Sequence, residues 1–219
     1  MTPDVRLYAL LDPAVAGGRA LPDLARLVAG SATLVQLRDK LGSTRALVEE
    51  ARALRAVLEP AGVPLLINDR VDVALVAEAD GVHIGQDDMA PEDARLLLGR
   101  SAIIGLSINT VALAQAAPLE FLDYVAIGGV YSTTSKDNTK APIGIAGLSE
   151  IVRTVRARDP DFPICAIAGI NHSNAGEVIA AGADGVAVIS ALSLAPNPGE
   201  AARQLRGVVD TALAKRGTA

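Results

Sequence analysis

The chain has 219 residues, half of them apolar, and a formal net charge of −5. This length is sufficient for one large hydrophobic core, so a single domain over residues 1–219 is expected. Only 2% of the residues are aromatic and tryptophan is absent, which leaves neither a basic stripe nor stacking platforms for nucleic acid. No apolar stretch approaches the roughly 20 residues of a membrane-spanning helix. Neither nucleic acid nor a membrane is therefore an expected partner.

The N-terminal segment Met1–Asp4 lacks the basic and apolar regions of a secretory signal, so a cytoplasmic location is expected. The single cysteine, Cys165, lies in an apolar run, which predicts a core residue rather than a nucleophile. His83 is expected to be packed within a strand or to support a site, and His172 to lie in a loop. The two histidines lack the paired spacing of a zinc site. The sequence leaves the oligomeric state open.

Eight short apolar segments are predicted to be strands, and helix-like stretches separate them. Several are nearly continuous in Val, Ile, Leu and Ala, which is typical of strands buried on both faces of a parallel sheet. Apolar residues at helical spacing from Thr44 to Leu58 predict an amphipathic crossover helix. The predicted strands are Arg6–Leu11, Thr33–Arg38, Val63–Ile67, Gly81–Ile84, Ala102–Leu106, Tyr124–Ile127, Pro163–Ala168 and Gly185–Ile189.

The strict alternation of strand and helix predicts an α/β fold, and eight units in this length favour a closed (β/α)8 TIM barrel. An open doubly wound sheet is less well supported, because Leu11-Asp12-Pro13 stands where a G-x-G-x-x-G motif would follow the first strand. The segment Ala79-Asp80-Gly81 recurs as Ala183-Asp184-Gly185, each ahead of a strand. Repeated βα units within one domain explain this similarity. The active site of such a barrel is expected at the carboxyl ends of its strands.

Two acidic residues that follow successive strands are the most informative feature of the chain. Asp69 follows Leu65–Asn68, and Asp88 follows Gly81–Asp87. A hard divalent cation that keeps several waters usually takes one or two carboxylates together with substrate phosphates. The pair therefore suggests a site for Mg²⁺ and a diphosphate. Taken alone, Asp69 could equally be a helix cap, since Asp is favoured before helices.

Other polar residues fall at the same predicted rim. The two-residue period of a strand places Gln36 and Arg38 on one face, with Lys40 in line if the extended chain continues. Two cations and an amide would then face the carboxylates. The ends of the next strands add four further polar residues to this rim, namely Asn68, Gln86, Asp88 and Ser107.

The later loops offer features suited to anions. The long polar segment Gly128–Ala146 contains hydroxyls and a lysine between glycines, which favours a lid that orders over an anion rather than a solvated loop. The loops after the seventh and eighth strands of barrels often bind phosphate. Gly169 would allow close approach of the backbone there, and Ser190 can donate a hydroxyl.

Taken in order and at their spacing, these motifs resemble the thiamine phosphate synthase (thiamine-phosphate pyrophosphorylase) family, and the resemblance runs from about Tyr8 to Ala191. The segments that carry it are Gln36–Lys40, Ile67–Arg70, Gly81–Asp88, Gly105–Ser107, Thr133–Lys136, Ala168–Ile170 and Val188–Ala191.

The resemblance implies a transferase with Mg²⁺ as cofactor and two small-molecule substrates. It would join 4-amino-2-methyl-5-hydroxymethylpyrimidine diphosphate to a thiazole phosphate, through a pyrimidine carbocation. Asp69 and Asp88 would bind Mg²⁺, and Arg38 and Lys136 would act in catalysis. The implied pyrimidine diphosphate ligands are Gln36, Arg38, Lys40, Asn68, Ser107 and Lys136. The implied thiazole phosphate ligands are Thr133, Thr134, Ser135, Gly169, Ile189 and Ser190.

The chain departs from the family pattern at three positions. Gly129 and Ser132 stand where prolines are common, and Ala168 replaces a glycine. A looser lid is expected, with no charged or metal position lost. Two alternatives stay open: a thiazole tautomerase, which the joint presence of Asp69 and Asp88 with the two cations argues against, and a noncatalytic barrel that binds a pyrimidine or thiazole phosphate as a regulator.

Overall fold

The computed structural model describes residues 2–133 and 141–217. Eight parallel strands close into a barrel in which each strand pairs with the next along the chain and the last pairs with the first. The predicted (β/α)8 TIM barrel is confirmed. The strands are β1 Leu7–Leu11, β2 Leu34–Leu37, β3 Leu65–Asn68, β4 Gly81–Ile84, β5 Ile103–Ile108, β6 Tyr124–Ile127, β7 Ile164–Ile167 and β8 Gly185–Val188.

Helices follow the strands and cover the outside of the barrel. Their apolar faces pack on the outward-facing strand residues in one large core, and a second, smaller cluster fills the barrel interior. The helices are α1 Leu21–Val28, α2 Thr44–Leu58, α3 Val71–Ala77, α4 Pro91–Leu98, α5 Val111–Ala116, α6 Gly144–Arg156, α7 Ala175–Ala180, α8 Ser190–Ser193 and α9 Pro198–Gly217.

The predicted segments match the observed elements closely. Helix α2 has the predicted bounds, with Ser43 as its N-cap accepting from the Ala46 amide at 3.3 Å. Ser107, expected at the end of the fifth strand, lies inside β5, which continues to Ile108. Ala168 and Ile189 fall outside β7 and β8, because their backbone torsions leave the extended region.

The repeated Ala-Asp-Gly turn has a structural cause at the amino-terminal end of the barrel. The Asp80 carboxylate accepts from the Leu65 amide at 2.7 Å, and Asp184 accepts from the Ile164 amide at 2.9 Å. Asp123, ahead of β6, accepts from the Ile104 amide in the same way at 2.8 Å. In each case the carboxylate satisfies a backbone donor at the start of the preceding strand, which would otherwise lack a partner.

Cys165 lies fully buried inside the barrel, as predicted. Burial raises the pKa of its thiol, so it stays protonated at neutral pH. Over the described residues, no helix is both long enough and apolar enough to cross a bilayer.

Candidate active site

A cavity of about 1230 Å³ opens at the carboxyl ends of the strands. This exceeds the roughly 300–1000 Å³ of a typical site for one small ligand, so two substrates can occupy it together. Every candidate site residue of the described ranges lines this cavity: Gln36, Arg38, Lys40, Asn68, Asp69, Asp88, Ser107, Thr133, Gly169, Ile189 and Ser190. Thr134, Ser135 and Lys136 lie outside the described residues.

The two candidate metal ligands stand together on one side of the cavity. Asp69, directly after β3, has a positive φ of +62°, a conformation that Asp tolerates better than most residues. Its backbone amide donates to the His83 carbonyl at 2.8 Å. Asp88 accepts from the Gly85 amide at 2.7 Å, which folds the loop after β4 back toward β3. The two carboxyl groups come within hydrogen-bonding reach of each other.

This proximity has an electrostatic consequence. Burial raises the pKa of Asp88 above its ordinary value, and the neighbouring Asp69 raises it further. Two adjacent carboxylates repel each other, and a divalent cation between them would relieve that repulsion. No cluster of three or more His, Cys, Asp or Glu side chains suited to a metal occurs among residues 2–133 and 141–217. Two carboxylates are a donor set that fits a hard cation whose coordination water and substrate oxygens would complete.

The two described cations of the rim each contact an acidic side chain. Lys40 pairs with Asp69, and its side chain is half exposed. Arg38 pairs with Asp12, whose side chain is buried and caps the turn after β1 by accepting from the Ala14 amide at 2.9 Å. Sequence reasoning missed Asp12 as a site residue, although its place at the end of a strand was a usable signal. The pairing holds the Arg38 guanidinium at the cavity wall.

The floor of the cavity is polar and lies inside the barrel. Tyr8, Gln36, His83 and Tyr124 are all buried there. The register explains how the aromatic rings fit, because His83 pairs with Gly105, which in turn pairs with Tyr124. A Cβ on Gly105 would come within 2.0 Å of the Tyr124 ring. The glycine lets that ring cross β5 and stack on His83 at 5.6 Å between centroids. The sequence indicated a packed or supporting role for His83 and missed both tyrosines.

The opposite wall is formed by backbone after β7 and β8. Gly169 has a positive φ of +67°, and a Cβ there would come within 2.5 Å of the Ser132 carbonyl oxygen. Glycine is therefore required for the two loops to approach this closely. Ser190 begins the short helix α8. Backbone hydrogen bonds from Ile143 to Gly129 (2.9 Å) and from Gly144 to Val130 (3.1 Å) join the two described ends of the loop after β6.

Comparison with known proteins agrees with this geometry. The family model described as thiamine monophosphate synthase matches residues 7–192, which is most of the chain. The chain belongs to the thiamine monophosphate synthase family. Within that family it is 49% identical over 214 residues to a thiamine-phosphate synthase of Agrobacterium fabrum, covering 97% of each chain. It is 45% identical to the thiamine-phosphate synthase of Chloroflexus aurantiacus, covering 97% of this chain and 96% of the relative.

A solved structure of the same family has the same architecture. The thiamine phosphate pyrophosphorylase from Pyrococcus furiosus superposes with a TM-score of 0.84 at 34% identity, covering 97% of this chain and 98% of the other. The likeness covers nearly the whole of both chains, so the two barrels have closely similar folds. The relatives of this chain, thiamine-phosphate synthases, are transferases.

Proposed function

We propose that this chain is a thiamine phosphate synthase. It would join 4-amino-2-methyl-5-hydroxymethylpyrimidine diphosphate to 4-methyl-5-(2-phosphooxyethyl)thiazole, giving thiamine phosphate and diphosphate. The C–O bond to the diphosphate breaks and its electron pair leaves with the diphosphate. The thiazole nitrogen then donates its lone pair to the pyrimidine methylene carbon, forming the new C–N bond.

One observation carries this proposal: two neighbouring carboxylates share a cavity wall with a lysine and an arginine. Asp69 and Asp88 supply the oxygen ligands, while Lys40 and Arg38 supply positive charge beside them. This combination suits a diphosphate bound with Mg²⁺. When bound, Mg²⁺ would neutralise part of the negative charge that the leaving diphosphate gains. Arg38 would stabilise the same charge directly, held in position by Asp12.

The polar floor supports binding of the pyrimidine. The Oε1 atom of Gln36 is buried and has no hydrogen-bond partner among the described residues. A buried acceptor without a partner is unfavourable unless a ligand supplies the donor. The exocyclic amino group of an aminopyrimidine is such a donor. Ser107, which also lines the cavity, would contact the diphosphate, and Asn68 would contribute from the end of β3.

The wall formed after β7 and β8 suits the thiazole phosphate. The backbone at Gly169 and Ile189 and the hydroxyls of Ser190 and Thr133 border this part of the cavity. Backbone amides and hydroxyls can bind phosphate without a large positive field. Roles for Thr134 and Ser135 in the same subsite, and for Lys136 in catalysis, stay predictions from the sequence motif. The cytoplasmic location likewise stays a prediction.

The protein would contribute charge stabilisation and orientation rather than a covalent nucleophile. Holding the thiazole nitrogen in line with the methylene carbon converts an encounter between two solutes into a step within one complex. The only thiol of the chain, Cys165, is buried below the cavity.

The test is turnover with the two purified substrates and MgCl₂, measuring thiamine phosphate and diphosphate together. We expect equal amounts of both products, none when either substrate is omitted, and none after chelation of Mg²⁺ with EDTA. Interconversion of thiazole phosphate isomers without diphosphate release would instead identify a tautomerase. Binding of either phosphate by folded protein without product would identify a noncatalytic barrel. Either result would overturn the proposal.

A further inference from the structure

Five polar side chains form a continuous hydrogen-bonded chain across the barrel interior. Gln36 Nε2 contacts the Tyr8 hydroxyl, and the Tyr8 and Tyr124 hydroxyl oxygens are 2.9 Å apart. The Tyr124 hydroxyl lies 2.8 Å from His83 Nδ1, and His83 Nε2 lies 2.8 Å from Ser107 Oγ. The chain, which we call the relay, thus links β2, β1, β6, β4 and β5. Both of its ends, Gln36 and Ser107, line the cavity.

Four of the five members of the relay are shielded from water. Tyr8 is 1% exposed, Gln36 1% and Tyr124 0%, while His83 is 7% exposed. Burial raises the pKa of both tyrosines, so both hydroxyls keep their hydrogens at neutral pH. Each therefore has one hydrogen to donate as well as lone pairs to accept.

Counting hydrogens gives the relay a direction. Either tyrosine hydroxyl can donate to the other across the 2.9 Å between their oxygens. Because Gln36 donates to Tyr8, the Tyr8 hydrogen is available to the Tyr124 oxygen. Tyr124 then donates to His83 Nδ1. A neutral imidazole carries one hydrogen, and with Nδ1 accepting, that hydrogen must be on Nε2, directed at Ser107 Oγ. In the opposite direction the Tyr8 oxygen would accept from both neighbours, and its own hydrogen would have no acceptor within the relay.

The orientation of the Gln36 amide supports the same direction. Turning the amide over would place Oε1 against Tyr8 and leave the two Nε2 hydrogens buried without a partner in the relay. Buried donors without partners are rarer in proteins than carbonyl oxygens without partners. The observed orientation pairs an Nε2 hydrogen with Tyr8 and leaves Oε1 of this amide without a hydrogen-bond partner among the described residues.

We propose that His83 is a positioning residue that makes Ser107 a hydrogen-bond donor toward the cavity, with the Tyr124 hydroxyl of the relay holding its imidazole in the Nε2–H tautomer. Because Ser107 Oγ accepts from His83, its own hydrogen is left to point at a ligand. A diphosphate oxygen accepts such a hydrogen, so this inference rests on the proposed function for its substrate. In the other tautomer Ser107 would donate to His83 and present only lone pairs to an anion.

The tautomer can be read directly in the ligand-free protein. The chain has only two histidines, so ¹⁵N labelling of histidine and long-range ¹H–¹⁵N correlation spectra resolve both rings. A His172→Gln variant, at an exposed position outside the cavity, assigns the signals. At a pH well above the ordinary histidine pKa we expect His83 to carry its hydrogen on Nε2. A hydrogen on Nδ1 would overturn the proposal, whether or not the protein makes thiamine phosphate.

Two phenylalanine variants test whether the relay sets the tautomer. In Tyr124→Phe, Nδ1 loses its donor, and we expect signals of both tautomers. In Tyr8→Phe, Tyr124 keeps His83 as its acceptor, so the Nε2–H form should persist. A single Nε2–H tautomer in Tyr124→Phe would show that the relay does not control the ring.

Activity tests the role of His83 through Ser107. The amide nitrogen of Gln can take the place of Nε2–H, whereas the shorter Asn reaches only toward Tyr124. We expect His83→Asn to lower kcat about 10- to 100-fold with KM for the pyrimidine diphosphate changed less than about 3-fold, and His83→Gln to restore most of the loss. In a Ser107→Ala background, His83→Asn should have little further effect. Losses that multiply in the double variant, or equal losses for Gln and Asn, would overturn the proposal.

Discussion

Ala168 is a residue whose side chain conflicts with its backbone. It follows β7 with a φ of +95°, in a region where a Cβ is strained. Its carbonyl accepts from the Tyr131 amide at 3.0 Å, which holds the loop after β6 against β7. The departure from the family glycine noted in the sequence thus falls at a position where glycine is physically preferred.

We therefore predict that Ala168→Gly stabilises the protein. Relief of strain of about 1–3 kcal/mol exceeds the greater entropy cost of glycine, about 0.5–1 kcal/mol. A net gain of about 1 kcal/mol raises Tm by about 2–4 °C in a domain of this size. Calorimetry measures the shift. Ala166→Gly, two residues earlier within β7 and without a positive φ, is the matched control and should lower Tm. A lower Tm for Ala168→Gly would show that packing of the Ala168 methyl group stabilises the protein by more than the backbone strain costs.

A second prediction concerns the two carboxylates at the cavity rim. Asp69→Ala and Asp88→Ala should each remove most synthase activity. Asp88→Ala should change Tm little, because its side chain sits at the cavity rim and does not pack in the core. Asp69→Ala should lower Tm modestly, because Ala tolerates the positive φ at this position less well than Asp. Asp93→Ala, an exposed carboxylate outside the cavity on α4, should keep full activity. Kinetics at several Mg²⁺ concentrations and thermal melts separate the two effects. Near-normal turnover of both rim variants at limiting Mg²⁺ would show that Asp69 and Asp88 do not bind the metal.

At the scale of elements, β5 is shaped to let an aromatic ring from β6 cross it. Gly105 leaves the space into which the Tyr124 ring extends. The stacking of Tyr124 on His83 depends on the register of three neighbouring strands, β4 to β6, because that register places Gly105 between the two rings. The glycine in the sequence motif before Ser107 thus serves the cavity floor rather than a turn.

Gly105→Ala is predicted to destabilise the protein by about 1–3 kcal/mol, because overpacking forces the ring or the strand to move. It should also reduce activity, since the relay loses its geometry. Gly207→Ala provides a contrast, because it lies within helix α9 with no atom within 4 Å of the added Cβ. It should stabilise by about 0.5–1 kcal/mol. Chemical denaturation measures the free energy of unfolding of both variants, which should fall for Gly105→Ala and rise for Gly207→Ala. Equal changes in the two variants would contradict this account of β5.

In the molecule as a whole, residues at one end of the barrel stabilise the fold, and residues at the other end form the candidate active site. At the amino-terminal end, Asp184 accepts from the Ile164 amide and pairs with Arg156 of α6 at 2.5 Å and Arg216 of α9 at 2.7 Å. One carboxylate thereby joins a strand to two outer helices. Barrel residues at this end act in stability, while the opposite end carries the site.

Asp184→Ala is accordingly predicted to lower the free energy of unfolding by about 2–4 kcal/mol, because it leaves two part-buried arginines and a backbone donor without their partner. The kcat of the protein that remains folded should not change. The exposed Asp161, at the same end of the barrel, is the control, and Asp161→Ala should alter stability little. A loss of kcat in folded Asp184→Ala protein would contradict the division between the two ends.

The barrel, its strands and the rim residues could be predicted from the amino-acid sequence, because they follow from short-range patterns. Continuous apolar runs identify buried parallel strands, and polar residues at their ends must meet at one edge once the barrel closes. Asp69, Asp88 and Arg38 are therefore predicted to share one rim, and all three line the same cavity.

The contacts between side chains inside the barrel could not be predicted from the sequence, because they depend on the complete fold. Tyr8 and Tyr124 are 116 residues apart in sequence and share a hydrogen bond. The pairing of Arg38 with Asp12 and the strand-capping role of Asp184 likewise depend on strand register and helix placement. Local sequence patterns report which face a residue occupies, but its partner across a closed barrel is set by how all eight strands align.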